Sequence, residues 1–248
     1  MPKLQKYEQK IRKYKEKLKK VILRIGISYP KEFELLDVVS EKILLPCHLG
    51  ILFFGEFNNT FFKKIKAHLN EVFDSFFFDI RNLGDYNFSN ELFSKGLKKE
   101  YKEMKKSSNK IKMHPTNKFY QILIDKRIQE NLGMIIAITN LPIYSSSNDN
   151  ILFLYGETHL KHRCGVISSF KLKEEYYNRP ENIDLFENRV LKEICHEVGH
   201  LILGSRHCND DLCIMRFSNE IDGIDNKSNR FCINCKNKLN EIRKKYNF

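Results

Sequence analysis

Residues 196–208 read "HEVGHLILGSRHC", and their spacing decides how the whole chain is read. His196 and His200 stand four residues apart, which on a helix stacks them on one face, where two imidazoles can grip one metal ion. Glu197, beside the first histidine, can take a proton from a water held by that metal. Val190, Ile194, Val198 and Leu201 recur at helical spacing on another face and are expected to anchor the helix in a core. The helix is expected to run from about Ile183 to Leu203. Gly204 then stops it in a left-handed conformation, and His207 can swing back as a third ligand. The His-Glu-x-x-His pentad alone is a weak signal, which the stop and the third histidine sharpen. The competing reading is two helix-surface histidines beside a core glutamate.

Four cysteines follow at metal-ligand spacing. Cys208 and Cys213 form a C-x4-C pair, and Cys232 and Cys235 a C-x2-C pair within "FCINCK". Two such pairs in a loop-rich tail suit a tetrahedral four-thiolate zinc site. The tail holds too few apolar residues to fold by burial alone, so a metal clip makes physical sense. Two disulfides are the alternative, and they need an oxidising compartment that nothing else in the sequence indicates. Met215, two residues after Cys213, reads by itself as core filler. Cys195 and Cys164 read as small buried hydrophobes. His159 and His162 could line a cleft or sit exposed in a loop.

The remainder of the 248 residues sets the frame. Hydrophobic content of 42% with 30% charged residues describes a soluble globular chain, large enough to bury a real core. No apolar run approaches the roughly 20 residues of a membrane span. The opening "MPKLQKYEQKIRKYKEKLKK" has no apolar core or cleavage site of a secretory signal, so a cytosolic or nuclear address is expected, with reduced thiols. The net charge of +12 comes mainly from that opening, read as a basic helix over 1–20, and from "KKEYKEMKKSSNKIK" at 98–112. Solvated charge accounts for both runs. No aromatic interleaving or groove-reading motif points to nucleic acid, which is not an expected partner.

Strands alternate with helices through the first three-quarters, which argues for an α/β layered fold. Strands are expected at "VILRIGI", "HLGILFF", "GMIIAITN", "ILFLYGE" and "GVISSFKL". Helices are expected at "KEFELLDVVSEKIL", "FFKKIKAHLNEVFDSFF" and "FYQILIDKRIQENL". Residues 84–117 read as a polar, Lys-rich insertion, and the last 45 as nearly devoid of regular structure.

Taken together these residues resemble the archaemetzincin family of zinc metallopeptidases. Its signature places His-Glu-x-x-His, a glycine, a third histidine, Cys, Cys-x-Met and Cys-x-x-Cys in the order met here at His196, Glu197, His200, Gly204, His207, Cys208, Cys213, Met215, Cys232 and Cys235. "VILRIGISYPKEFELLDVVSEKILL", "IAITNLPIY" and "ILFLYGETHLKHRCGVISSFKL" also look like family segments. The likeness extends over most of 21–248, with 84–117 as the main misfit. It implies a metzincin-like fold: a twisted mixed sheet packed with helices, forming one catalytic domain over 21–248. A loop-rich lobe over 204–248 would be held by a structural zinc.

The resemblance further implies a catalytic zinc on His196, His200 and His207, with Glu197 as general base and Met215 in the turn beneath the metal. A second zinc would sit on Cys208, Cys213, Cys232 and Cys235, giving two per chain. Gly165, Val166, Ile167 and Ser168 look like part of the edge strand along which an extended peptide lies. Two spacings depart from the family. Three residues rather than two separate His200 from Gly204, and sixteen rather than about seventeen separate Met215 from Cys232. An extra helical residue rotates every later side chain by about 100° around the helix axis. Either the glycine turn or a one-residue π-bulge could absorb it. The expected function is therefore a monomeric zinc peptidase acting on peptide or protein substrates. The alternatives are a peptide-binding protein whose catalytic site is impaired by the offset, and a basic, nucleic-acid-associated zinc protein resting on charge and the cysteine cluster alone.

Overall fold

The computed structural model describes residues 44–55, 57–86, 100–101, 111–147 and 153–248. The basic helix expected over 1–20, and the strand and helix expected between 21 and 43, lie outside these residues.

"HLGILFF" forms the central strand, β1 (Cys47–Phe54). Its side chains alternate between two cores, as a pleated strand covered on both faces must. Leu49, Ile51 and Phe53 join one cluster, and Leu52 and Phe54 the other. Helix α1 (Asn59–Val72) begins at Asn58, whose side chain accepts a hydrogen bond from the Phe61 amide at 2.7 Å. It buries Phe61, Phe62, Ile65 and Leu69 at helical spacing on the first cluster. Strand β2 (Phe77–Asp85) then pairs parallel to β1.

Helix α2 (Thr116–Gln129) covers the opposite face of the sheet through Phe119, Tyr120, Leu123 and Ile124. Strand β3 (Met134–Thr139) is buried throughout and lies parallel to β1 on its other side. Strands β4 (Gly156–His159) and β5 (Cys164–Ser168) form an antiparallel pair, with β5 parallel to β3. The sheet order is β2-β1-β3-β5-β4, mixed but mainly parallel. Helix α3 (Ile183–Leu203) comes after two 3-10 turns and packs beside α1, its Val190, Ile194 and Val198 wholly buried. The result is a layer of α1 and α3, the sheet, and a layer with α2, which is the α/β architecture expected.

Several expectations need correction. "FFKKIKAHLNEVFDSFF" is not one helix: the chain turns at Asp74–Ser75, where Ser75 has φ 62°, and Phe77 opens β2. The Lys-rich insertion is narrower than 84–117, because β2 runs to Asp85 and α2 starts at Thr116. Pro115 stands at the N-cap, where its missing N–H costs nothing. Residues 87–99 and 102–110 lie outside the described residues. In "ILFLYGE" Leu154 makes only a bridge to Ile143, and the strand begins at Gly156. In "GVISSFKL" the strand ends at Ser168, before a 3-10 turn over Phe170–Leu172.

The largest correction concerns the tail. It carries two helices, α4 (Ile221–Asn226) and α5 (Ile233–Tyr246). Helix α5 buries Cys235 and Leu239, and Ile242 and Tyr246 pack half-buried on the core, a stripe at helical spacing that the sequence reading did not take up.

Candidate metal centre

Asn182 caps α3 by accepting from the Leu185 amide, and the helix is α-helical without a bulge to Leu203. The Gly204 amide closes the last turn on the His200 carbonyl at 2.9 Å. Gly204 itself has φ 88° and ψ −166°, a region open in practice to glycine alone and outside the left-handed helical well that was expected. The three residues between His200 and Gly204 all continue the helix, and the turn at Gly204 brings His207 back to the other two histidines. One ring nitrogen each from His196, His200 and His207 lies within 4.8 Å of the others.

The protonation of these rings is set by their neighbours. His196 Nδ1 lies 2.8 Å from the Ile214 carbonyl, and His200 Nδ1 lies 2.9 Å from the Gly204 carbonyl. A carbonyl only accepts, so each Nδ1 donates and each Nε2 keeps its lone pair. The two Nε2 atoms face each other at 3.1 Å. Burial keeps all three rings neutral: His196 lies well below the usual histidine range, His200 is pushed down to about 4 and His207 to about 3. Two opposed lone pairs repel unless a cation lies between them. Ligand bonds of about 2.0–2.1 Å, as for zinc on imidazole, would put such nitrogens little more than 3 Å apart. The donor set therefore fits a zinc ion.

Glu197 lies beside this trio, facing β4. Thr158 donates its hydroxyl to Glu197 Oε2 at 2.5 Å. Burial pushes the Glu197 carboxyl well above the usual carboxylate range; the Thr158 bond opposes this, and Glu193 and Glu157 add to it. Beneath the histidines, Met215 packs on Gly199, where an added Cβ would lie 2.3 Å from Sδ. Met215 belongs to the buried core and underlies the turn of helix between His196 and His200.

Cys208, Cys213, Cys232 and Cys235 also converge, with all four Sγ atoms within 4.8 Å. None is in a disulfide, and Cys208 and Cys232 Sγ stand 3.6 Å apart. A tetrahedral site with Zn–S bonds of about 2.3 Å separates its sulfurs by roughly 3.8 Å, so these four thiols fit a zinc ion as well. The Cys208 amide donates to the Met215 carbonyl at 2.9 Å, which ties this cluster to the turn under the histidines.

The edge-strand reading of Gly165–Ser168 is overturned. These residues form β5, hydrogen-bonded to β3 on one side and β4 on the other, and they are fully enclosed. The outer strand is β4. His159 and His162 are neither exposed nor in the cleft; both rings are buried, 4.6 Å apart. Cys164 and Cys195 are buried as expected.

Sequence reasoning passed over a second set of residues. A narrow cleft of about 50 Å3 beside the histidines is lined by Phe153, Tyr155, Gly156, Glu193, Phe217 and Lys227, together with His196, Glu197 and His207. Arg189 pairs with Glu174 and, through two nitrogens, with Asp225. Lys192 Nζ donates to the carbonyls of Ile224 and Asp225, and Lys227 pairs with Glu193 at 2.8 Å. A signal was available, because Arg189, Glu193 and Glu197 recur every fourth residue along the helix, each directly followed by an apolar residue of the core face, Val190, Ile194 and Val198. A larger cavity of about 220 Å3, at the far end of α3 near Phe57, Asn140 and Ile183, is remote from these groups.

An α/β fold that gathers two imidazoles of helix α3 with a third from the segment after it, and a thiol quartet close by, defines a chain built around two candidate metal centres. Residues 100–241 match the model of Peptidase family M54, more than half of the sequence, and the chain belongs to that family. This match includes part of the Lys-rich stretch that reads as a misfit. The chain is similar to the protein named Archaemetzincin from Methanocaldococcus jannaschii, 37% identical over 123 residues, which is 50% of this chain and 66% of that protein. It is also similar to Archaemetzincin of Saccharolobus solfataricus, 43% identical over 96 residues, 39% of this chain and 51% of that one. The chain thus spans about half to two-thirds of the length of these curated relatives.

Among solved structures, archaemetzincin from Methanopyrus kandleri superposes with a TM-score of 0.59 at 20% identity, covering 84% of this chain and 99% of that one. A protein described as a zinc-dependent peptidase from Methanocorpusculum labreanum gives a TM-score of 0.57 at 19% identity, covering 77% and 99%. At such identities the likeness concerns the fold. Among the described residues, no helix is long and apolar enough to cross a membrane.

Proposed function

We propose that this protein is a zinc-dependent peptidase, with His196, His200 and His207 holding a catalytic zinc and Glu197 as general base. Cys208, Cys213, Cys232 and Cys235 hold a second, structural zinc. The observation that carries this reading is the pair of neutral imidazoles whose Nε2 lone pairs oppose each other at 3.1 Å beside a buried carboxyl group. Membership of a peptidase family supports it.

Zinc, when bound, supplies a Lewis acid that polarises a peptide carbonyl and makes water easier to deprotonate. The chain's own groups do the rest. Thr158 occupies Glu197 Oε2, so the proton is taken at Oε1 and passed to the leaving amine. Burial raises the proton affinity of that carboxylate, so it holds a proton taken from water more firmly than an exposed glutamate would. Met215 holds up Gly199 and so keeps His196 and His200 in line. The Ile214 and Gly204 carbonyls fix both rings in the ligating tautomer.

With β5 enclosed, an extended peptide is assigned to the rim of the cleft at Phe153–Gly156, leading into the outer strand β4. All groups invoked lie in one chain, so a monomer suffices. Four thiols kept for metal suit a reducing compartment, the cytosol or nucleus.

The rival, a peptide-binding protein with an impaired site, takes its support from the extra residue before Gly204. One experiment decides between the two. Wild type is expected to hold two zinc ions and to cleave peptides, and Glu197→Ala to hold two and cleave none. A wild type that holds zinc but cleaves no member of a broad peptide pool would favour the rival.

A further inference from the structure

We propose that Lys227 is a substrate-binding residue, whose ammonium donates hydrogen bonds to main-chain carbonyl oxygens of the peptide beside the scissile bond. This rests on the peptidase reading above. The side chain of Lys227 is 1% exposed, yet it lines the same cleft as His196, Glu197 and His207. An ammonium has three N–H donors, and leaving donors unmet in a buried place is costly. Among the described residues, the hydrogen-bond acceptor of Lys227 Nζ is Glu193 Oε1 at 2.8 Å. Two donors remain, beside the cleft.

Lys192, one residue before Glu193, shows the contrast. Its Nζ donates to two backbone carbonyls, Ile224 and Asp225, each at 2.9 Å, and so serves the fold. Together with the Arg189–Asp225 pair it clamps the segment immediately before Lys227 onto α3. The backbone that carries Lys227 is therefore held rigidly against the helix of the histidines.

Charge selects the kind of acceptor. Glu193 already neutralises Lys227, so what its remaining donors lack is acceptors and not a further counter-charge. A peptide carbonyl accepts the remaining donors without adding charge. In a narrow cleft with little water, such bonds are stronger than at a surface.

The probe is a peptide acetylated and amidated at its ends, chosen as one that wild type cleaves from an equimolar pool of such peptides. Its binding is measured by calorimetry on zinc-loaded Glu197→Ala protein, which leaves it intact. Adding Lys227→Met is expected to weaken binding roughly 10- to 100-fold, as loss of a charged donor does. Zinc content should stay unchanged. Because that variant leaves Glu193 buried alone, Glu193→Leu with Lys227→Met is measured too; it removes the whole pair and should show the same loss. Undiminished affinity in the double variant, with zinc retained, would overturn the proposal. So would tighter, Lys227-dependent binding of the same peptide with a free C-terminal carboxylate, which would make that terminus the ligand. If wild type holds zinc but cleaves nothing in the pool, the peptidase reading fails first and this inference falls with it.

Discussion

Gly156 of the outer strand β4 lies directly against Glu197 of helix α3: a Cβ at position 156 would stand 2.5 Å from Glu197 Oε1. No atom can occupy that place while the carboxyl group stays where it is. Gly156→Ala is therefore expected to push Glu197 out of line and lower kcat about 100-fold, within the range general-base catalysis contributes. Zinc content should not change, since no histidine moves. Unaltered kcat in a folded Gly156→Ala protein would remove Glu197 Oε1 from the proposed chemistry.

A different cost is expected at Gly204, where a Cβ would meet nothing within 4 Å but the backbone has φ 88°. Gly204→Ala should destabilise the fold by about 1–3 kcal/mol through backbone strain alone. It should also weaken zinc at the histidines, because the Gly204 carbonyl orients His200. Urea unfolding and competition with a chelator measure the two effects. A neutral result in both would mean that the turn has other conformations open to it.

The two proposed metal centres should be separable. Cys232→Ser with Cys235→Ser is expected to remove one of two zinc ions and loosen α5, which has little apolar burial of its own. The histidine site should keep partial occupancy, because the link through Cys208 to Met215 survives. Elemental analysis and protease sensitivity of the tail test this, and a single zinc ion in wild type would refute it.

Metal-free protein should lose stability in acid. His200 is fully buried, and burial moves it from an ordinary 6.5 down to about 4. As pH falls, the unfolded chain takes up this proton near 6.5, whereas the folded chain resists until about 4. The contribution is therefore complete above about 6.5 and is lost between about 6.5 and about 4, at most on the order of 3 kcal/mol. Stripped wild type should show a steeper fall in its urea midpoint over that window than stripped His200→Leu. Glu197 is present in both proteins, so its opposite tendency largely cancels. Parallel curves would show that His200 is not buried neutral.

Local chemistry was legible in the residues themselves. The four-residue step from His196 to His200, the glycine stop, and the paired cysteines depend on helix geometry and ligand type, which short-range spacing encodes. The buried strands at β1 and β3 and the bounds of α3 could be read for the same reason, since long apolar runs and strong periodicity need no partner to be recognised. Helix α5 was harder to read, because its narrow apolar stripe of Cys235, Leu239, Ile242 and Tyr246 is set among polar residues and its stability depends on what it docks against.

Tertiary structure alone decided which strand is outermost. Strand β4 and strand β5 are both buried along their whole length, and only the pairing of β5 with β3 places one inside the sheet and leaves the other outermost. It likewise decided what surrounds Glu197. Thr158, Gly156 and Lys227 lie 30 to 41 residues away along the chain, and no periodicity links them to it. They meet it because α3 is packed across the sheet and is clamped by Arg189 and Lys192 to the end of α4, just before Lys227. Spacing can specify which atoms share a helix face, but which atoms face them across a cleft is set by packing between distant segments.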